Sequence, residues 1–340
     1  MLIMKRLILC ILFVVSILPS THAQKRQRVK ALSNGIEYVE YAFDFPASMR
    51  LVRTKDTPPE ERLFGLVDSL GNELTPCVWT QIYAPREGRM RVQQGRDESM
   101  RTGYLDMQGA TVIAPDWEDG TNFSDGWAAV QRDGKWGYID PNGQVVMQPV
   151  YAHACAPRGD YLIVGQQGKY YVKYGMIKRS GELVIPMDYY SITYFKTDRA
   201  IVGKIIGGAP RYGLIDTQNQ VVLPLEWDFL SITDEGNAWV GKGQYPNSVY
   251  TLLDRSGNRM ITTDLYDLDS SGKFGHCKAA VRDGNGNLHY GVVSSTGKVI
   301  IPFQYDLIMI FTEHHPELGE VAVVSADKDG KRFSFTLSVK

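Results

Sequence analysis

The 340-residue chain has no apolar run long enough to cross a bilayer as a helix. Its one sustained run, Leu7 to Leu18, is about 12 residues where a span needs roughly 20, so no helical anchor is expected in the mature chain. Charge of one sign is also missing: 37 Lys and Arg face 38 Asp and Glu, interspersed, for a net charge of -1. Nothing supplies the basic field that nucleic acid demands, so no nucleic-acid partner is expected. Cysteine is scarce. Of four, Cys10 lies inside the leading apolar run, while Cys77, Cys155 and Cys277 fall at three different phases of the chain. An odd remainder leaves at least one free thiol; whether two of the three form a disulfide stays open, small buried hydrophobes being the simpler role. Sustained helical periodicity is absent too, which points away from helical folds.

At the start, Lys5-Arg6, the apolar run and the small residues Thr21 and Ala23 read as a secretory signal peptide over residues 1–23. Cleavage after Ala23 makes the mature protein exported, to the periplasm or the exterior. Cys10 precedes the cleavage motif, which argues against a lipoprotein. Residues 24–48 read as an N-terminal cap or linker, and 49–340 as a repeat array.

The repeat is the dominant feature. Its clearest copy is Trp136-Gly137-Tyr138-Ile139-Asp140-Pro141-Asn142-Gly143-Gln144-Val145-Val146-Met147-Gln148-Pro149, and copies recur about every 38 residues. Aligned on the glycine, seven are visible: Gly65, Gly103, Gly137, Gly175, Gly213, Thr251 and Gly291, with Thr251 the departure. The preceding residue is Phe64, Thr102, Trp136, Tyr174, Tyr212, Tyr250 or Tyr290, and an aliphatic stands two places after the glycine throughout. With side chains alternating, such a strand is apolar on both faces and is predicted to be interior. The bare glycine predicts close approach by an aromatic or a second backbone.

Six residues on comes Gly71, Gly109, Gly143, Gly181, Asn219, Gly257 or Gly297, all able to take positive φ. Three places before it, Asp68, Asp106, Asp140, Asp216 and Asp254, with Lys178 and Ser294 as substitutes, are placed to accept the turn's own amides. A run such as Val221-Val222-Leu223-Pro224 follows, whose Pro ends the strand or puts it at an edge. Next comes an aromatic: Trp79, Trp117, Tyr151, Tyr189, Trp227, Tyr266 or Tyr305, often trailed by an acid. A third strand precedes each glycine, as in Ala128-Ala129-Val130 or Ala238-Trp239-Val240. The link between them ranges from Asp133-Gly134, a two-residue hairpin signal, to Gly243 through Ser248. Glu320 to Val324 and Phe333 to Leu337 supply the first two strands of an incomplete eighth copy.

One unit is therefore a three-stranded antiparallel meander plus a return segment, and it must stack on its neighbours to bury both faces. The expected fold is all-β, tandem meanders stacked as an open twisted solenoid, with a seven-bladed β-propeller as the alternative. If the signature aromatic is core, Trp136→Ala costs on the order of 3 to 5 kcal/mol.

The stretch from Gly134 to Gly143, with Pro149 and Tyr151 downstream, resembles the WG repeat family of bacterial proteins. The resemblance covers nearly the whole mature chain. It implies a β-rich repeat protein of variable copy number, and it brings no catalytic residue to transfer.

Chemical motifs are weaker than they look. Asp283-Gly284-Asn285-Gly286-Asn287 has oxygen side chains where a calcium loop begins, but Leu288 stands where Gly is needed and Ser294 where a Glu would close the loop; it reads as a hairpin turn, as does Asp327-Lys328-Asp329-Gly330. His314-His315-Pro316-Glu317 lacks a second ligand cluster, and His153, His276 and His289 are isolated. Gly203-Lys204-Ile205-Ile206-Gly207-Gly208 lacks the order of a phosphate loop, and no nucleophile elbow occurs. No catalytic, cofactor-binding or metal residue is predicted, and no cofactor. The expected function is a non-enzymatic scaffold binding another envelope or extracellular protein, through links such as Arg158 to Asp160 and Gly243 to Ser248. A glycan is the second candidate partner, through Trp117, Trp127, Trp227 and Trp239, whose repeat phase favours packing instead. A glycoside hydrolase comes third and needs two carboxylates about 5 to 9 Å apart in a cleft.

Overall fold

A computed structural model of the protein describes residues 35–39, 45–244, 246–270, 273–315 and 319–337. The expected signal peptide lies outside the described residues. Within them, eight antiparallel sheets follow one another along the chain, and no α-helix occurs. The third sheet shows the common plan: Asp119–Gly120, Ala128–Arg132, Lys135–Ile139 and Val145–Tyr151 pair in chain order, the first and last forming the edges.

The return segment is thus a strand in its own right, the first of the following sheet. It is two residues long in most copies, too short to display a period of two. A single residue sets it in place. The chain leaves Trp117, passes Glu118 and enters Asp119–Gly120, the Glu118 N–H donating to Gln131 O at 2.9 Å. Thr80, Ala152, Tyr190, Asp228 and Asp306 make the same step in their copies. The trailing acid has a use that its position alone did not disclose. Glu118 accepts from the N–H groups of Asp133 (3.0 Å) and Gly134 (2.8 Å), Asp228 from Gly243 (2.9 Å) and Asp306 from Asp329 (2.9 Å), so the acid of one copy clamps the hairpin of the next.

The glycine is required by a second backbone. An ideal Cβ on Gly137 would stand 2.4 Å from Met147 O, and one on Gly213 2.6 Å from Leu223 O. Pairing slips at this point: Trp136 faces Tyr151 but Tyr138 faces Met147, a bulge that accommodates Pro149 inside the edge strand. The turn acids behave as expected. Asp140 Oδ1 accepts from Asn142 and Gln144, both at 2.9 Å, beside Gly143 at φ 83°; Asp68, Asp106, Asp216 and Asp254 do the same. Where Lys178 replaces the acid, it ion-pairs with Glu182 at 2.9 Å instead.

Burial corrects the role given to the signature aromatic. Trp136, Tyr174, Tyr212, Tyr250 and Tyr290 are half-buried, whereas Tyr138, Met176, Leu214, Leu252 and Val292, two places on, are wholly buried. The aromatic pairs across to the last residue of the edge strand, as Trp136 does to Tyr151, at the rim of the sheet. Seven apolar clusters join the eight sheets, each drawing on two consecutive sheets. Among the described residues no such cluster joins the first sheet to the last; the sheets stand in tandem, and none is closed into a barrel. The buried tyrosines add polar links: Tyr104 OH donates to Thr121 O at 2.7 Å and Tyr138 OH to Cys155 O at 2.9 Å, each reaching the next sheet.

Three sheets depart from the common plan. In the first, Ile36–Tyr38 pairs with Met49–Thr54, so part of the stretch read as cap or linker is an edge strand. The sixth, Phe229–Ile232, Ala238–Lys242 and Val249–Leu253, stops at three strands. The eighth has Leu307–His315, Gly319–Lys328 and Lys331–Leu337, one strand more than its sequence displayed.

Candidate functional site

Most motif residues are consumed by the fold. Asp283 Oδ1 accepts from Asn285 (2.9 Å) and Asn287 (2.8 Å), and its other oxygen lies 3.1 Å from His289 Nε2. The imidazole contact and these amides hold its pKa down at about 2. It is a turn carboxylate. His314 and His315 are neighbours on an extended strand, Pro316 and Glu317 lie outside the described residues, and no metal-ligating cluster forms among those described. Lys204 ion-pairs with Asp188. Cys77, Cys155 and Cys277 are unbridged; burial raises the Cys77 and Cys155 thiols above their usual pKa, opposing thiolate formation.

The two predicted contact links differ. Around Arg158 to Asp160, Gly159 N–H donates to Asp125 Oδ2 at 2.8 Å, Gly159 O accepts from Arg179 Nε at 2.9 Å, and Asp160 O accepts from the Arg179 amide at 3.0 Å. This link ties the third sheet to the fourth. Gly243 to Ser248 is anchored at its start by Asp228 and otherwise exposed at Gln244, Pro246 and Asn247, with Tyr245 outside the described residues.

The tryptophans proposed as sugar platforms are covered. Trp117 and Trp239 are buried. Arg179 lies 4.5 Å above the Trp127 ring and Lys242 4.6 Å above Trp227, each cation capping a face that a sugar would need.

Exposed aromatic surface appears instead where the hairpins lengthen. The second and third strands of the third sheet meet at Arg132 and Lys135 across a two-residue turn. In the fourth sheet, Tyr161–Gln167 and Val172–Lys178 extend further, and in the fifth Arg199–Ile206 and Ala209–Asp216 run eight residues each. Tyr170 at the tip of the fourth sheet is 80% exposed. Its neighbour Tyr171 packs edge-on against exposed Tyr190, ring centroids 5.5 Å apart. Asp188 binds the two hairpins together, accepting from Lys173 at 3.0 Å and Lys204 at 2.5 Å, and these ammonium groups hold its pKa below the usual carboxylate value. Tyr170 belongs to no aligned repeat position, which is the signal by which the sequence could have revealed it.

A second feature runs along the short first strands. Three hollows of about 510, 260 and 480 Å³ adjoin one another: Lys196, Ser231 and Ile232 line both the first and second, Gly275 and Ser295 both the second and third. Trp239 lines the middle one. It stands where other copies carry Leu51, Arg91, Ala129, Ile163, Ile201 and Lys278.

Comparison with known proteins decides the family. The model of the WG containing repeat matches residues 64–96, 103–136, 136–170, 174–204, 212–245 and 290–313, more than half of the chain. The protein belongs to the WG containing repeat family. The six matched stretches skip the copy in which Thr251 replaces glycine. No curated protein matches the chain. Among solved structures, similarity is distant. The crystal structure of puromycin hydrolase is 11% identical with a TM-score of 0.36, over 82% of this chain and 57% of that one. A prolyl endopeptidase structure is 12% identical with a TM-score of 0.40, over 87% and 54%. Prolyl oligopeptidase B from Galerina marginata is 10% identical with a TM-score of 0.38, over 86% and 55%. The chain spans about half the length of these structures. At such distance they do not bear on function. Among the described residues no helix is long and apolar enough to cross a membrane.

Proposed function

We propose that this WG repeat protein is a non-enzymatic scaffold, exported to the bacterial envelope or exterior, that binds a partner protein through the hairpins of its fourth and fifth sheets. The observation carrying this is Tyr170, a large aromatic left 80% exposed beside Tyr171 and Tyr190 on hairpins fixed by the Lys173–Asp188–Lys204 ion pairs. Rigid tyrosines bury much area on binding with little loss of side-chain freedom, and they are enriched at interface hot spots. The repeat's acids support a binding role over a catalytic one, since turns and hairpin clamps engage them. Export rests on the N-terminal sequence.

Capture of partners from an envelope extract by the whole chain tests this. Tyr170→Ser is expected to reduce the captured protein about tenfold, a typical hot-spot loss, with the unfolding temperature unchanged. Asn247→Ala, in the other exposed link, is expected to leave capture intact. Equal capture by Tyr170→Ser and the unaltered chain would overturn the assignment.

A further inference from the structure

We infer that the chain forms a symmetric pair with a second copy of itself through the free edge of the eighth sheet, Lys331–Leu337 meeting its twin antiparallel. Six of the eight sheets close on a bulged strand that carries a proline, such as Pro149 or Pro302, and both features blunt an edge against further pairing. Among the described residues the eighth sheet has no such strand. Its order is Leu307–His315, Gly319–Lys328, Lys331–Leu337, so the third strand, interior elsewhere, is here the edge. It has no proline, and its ladder to Gly319–Lys328 runs from Lys328 and Lys331 to Ala322 and Leu337 without a register shift. It has no glycine either. In the seventh sheet a Cβ on Gly291 would stand 2.7 Å from Ile301 O, so the glycine is what admits a bulged strand; an edge without one suits a straight strand.

The preceding turn fixes which backbone groups are free. Asp329 and Gly330 have φ of 50° and 72° and join Lys328 to Lys331 as a two-residue hairpin turn. The pair flanking such a turn is hydrogen-bonded, and bonded pairs alternate with non-bonded ones along the ladder. Lys331, Phe333, Phe335 and Leu337 thus bond inward, while the N–H and C=O groups of Arg332, Ser334 and Thr336 point away from the sheet. The complement of such an edge is an extended strand.

A second copy supplies one that matches. Centred on Ser334, two antiparallel strands pair along their whole length: Ser334 with Ser334, Arg332 with Thr336, Phe333 with Phe335 and Lys331 with Leu337. The three bonded pairs exchange two main-chain hydrogen bonds each. No charge faces its like, and Arg332 is turned back onto its own sheet by Asp327, at 2.8 and 3.0 Å. Phe333 and Phe335 lie edge-on to Tyr305, ring centroids 5.9 and 6.0 Å away, yet Phe333 is 40% exposed. In the pair each Phe333 gains the twin's Phe335 as a cross-strand aromatic neighbour. An unrelated strand would have to bring aromatics at that spacing; the twin has them by symmetry.

Sedimentation of the whole chain over a concentration series up to about 1 mM tests the pairing. A monomer–dimer equilibrium with nothing larger is expected. Ser334→Lys sets two ammonium groups opposite each other on the axis and is expected to raise the dissociation constant about fivefold. Ser334 is exposed, so the unfolding temperature should not change. Phe311→Ser is the control: Phe311 is 45% exposed on the other face of the same sheet, and its loss should leave the equilibrium as it is. Oxidation reads the register. Cα atoms in a bonded pair stand about 5.5 Å apart, within reach of a disulfide, so Ser334→Cys should yield a covalent dimer. Thr336→Cys, facing Arg332, should cross-link no more than the unaltered chain. A chain that stays monomeric overturns the proposal. So does an unchanged equilibrium in Ser334→Lys, loss of pairing in Phe311→Ser, or equal cross-linking of the two cysteine variants. Assemblies that grow beyond two copies would bring in the other edge, Leu307–His315, and would overturn the symmetric pair.

Discussion

The fifth and sixth sheets are successive copies of one sequence pattern, yet the fifth has four strands and the sixth three. Their registers correspond. In the fifth, Tyr212 faces Trp227, Leu214 faces Leu223 and Ile215 faces Val221. In the sixth, the equivalent residues still meet at both ends, as isolated bridges from Tyr250 to Leu265 and from Leu253 to Arg259; Leu265 thus holds the place expected of Tyr266, which instead opens the first strand of the seventh sheet. Between those bridges the strand is lost. A Cβ on Gly213 would stand 2.6 Å from Leu223 O; Thr251 carries a real side chain there, and its Oγ1 lies 3.5 Å from the equivalent carbonyl, Ile261 O. The signature glycine is thus what lets the bulged fourth strand close onto the third. Thr262 also stands where Pro224 occurs in the fifth copy, so the bulge loses both residues suited to it.

The buried position after the glycine should be indifferent to this difference. Leu214 and Leu252 are both fully buried, one in a four-stranded and one in a three-stranded sheet. Each truncation to Ala is expected to cost about 3 kcal/mol, within the range for core leucines, read by urea unfolding. A much smaller loss for Leu252→Ala would mean that the missing strand loosens the core and would break the equivalence.

Gly213→Thr copies the sixth-sheet condition into the fifth. The expected loss is about 2 kcal/mol, typical of a side chain forced into filled space, with faster amide exchange confined to Val221 through Trp227. Exchange as slow as in the unaltered chain would show that the glycine is not the determinant. The signature aromatic should matter less than its prominence suggests. Trp136 is half-buried against His153, ring centroids 5.8 Å apart, so Trp136→Ala is expected to cost about 1 to 2 kcal/mol by the area removed from water, below the value expected of a core tryptophan.

Much of this was legible in the sequence because a repeat presents each position several times. The interior strand, the positive-φ turns and the capping acids Asp68 to Asp254 follow from local rules that act within a few residues. The short first strands were not legible. Two residues such as Ser191–Ile192 carry no periodicity, and they become a strand only through pairing with Val202 and Gly203 of the next copy. The rim position of the signature aromatic is hidden for a related reason: alternation says which face a residue takes, not how near it lies to the rim. As for the candidate site, Tyr170 stands out once the pattern is subtracted. The partner that gives it meaning, Tyr190, comes from another copy and is visible only in the fold.

Thr251→Gly is the converse change and has the smallest expected effect on stability. Removing the side chain opens the space in which Ile261 through Asp264 would pair; the Met260 N–H already donates to Leu252 O at 2.8 Å, and the two surviving bridges hold that segment in register. Against this, glycine in a strand costs roughly 0.5 to 1 kcal/mol in backbone freedom, close to the worth of one added hydrogen bond. Net stability should therefore change by less than about 0.5 kcal/mol, and the informative measurement is amide exchange at Ile261 and Thr263. Slower exchange there, with an unchanged unfolding temperature, is the expected outcome. Unchanged exchange would place the cause in Thr262, where proline is missing, and would make the bulge depend on both residues rather than on the glycine alone.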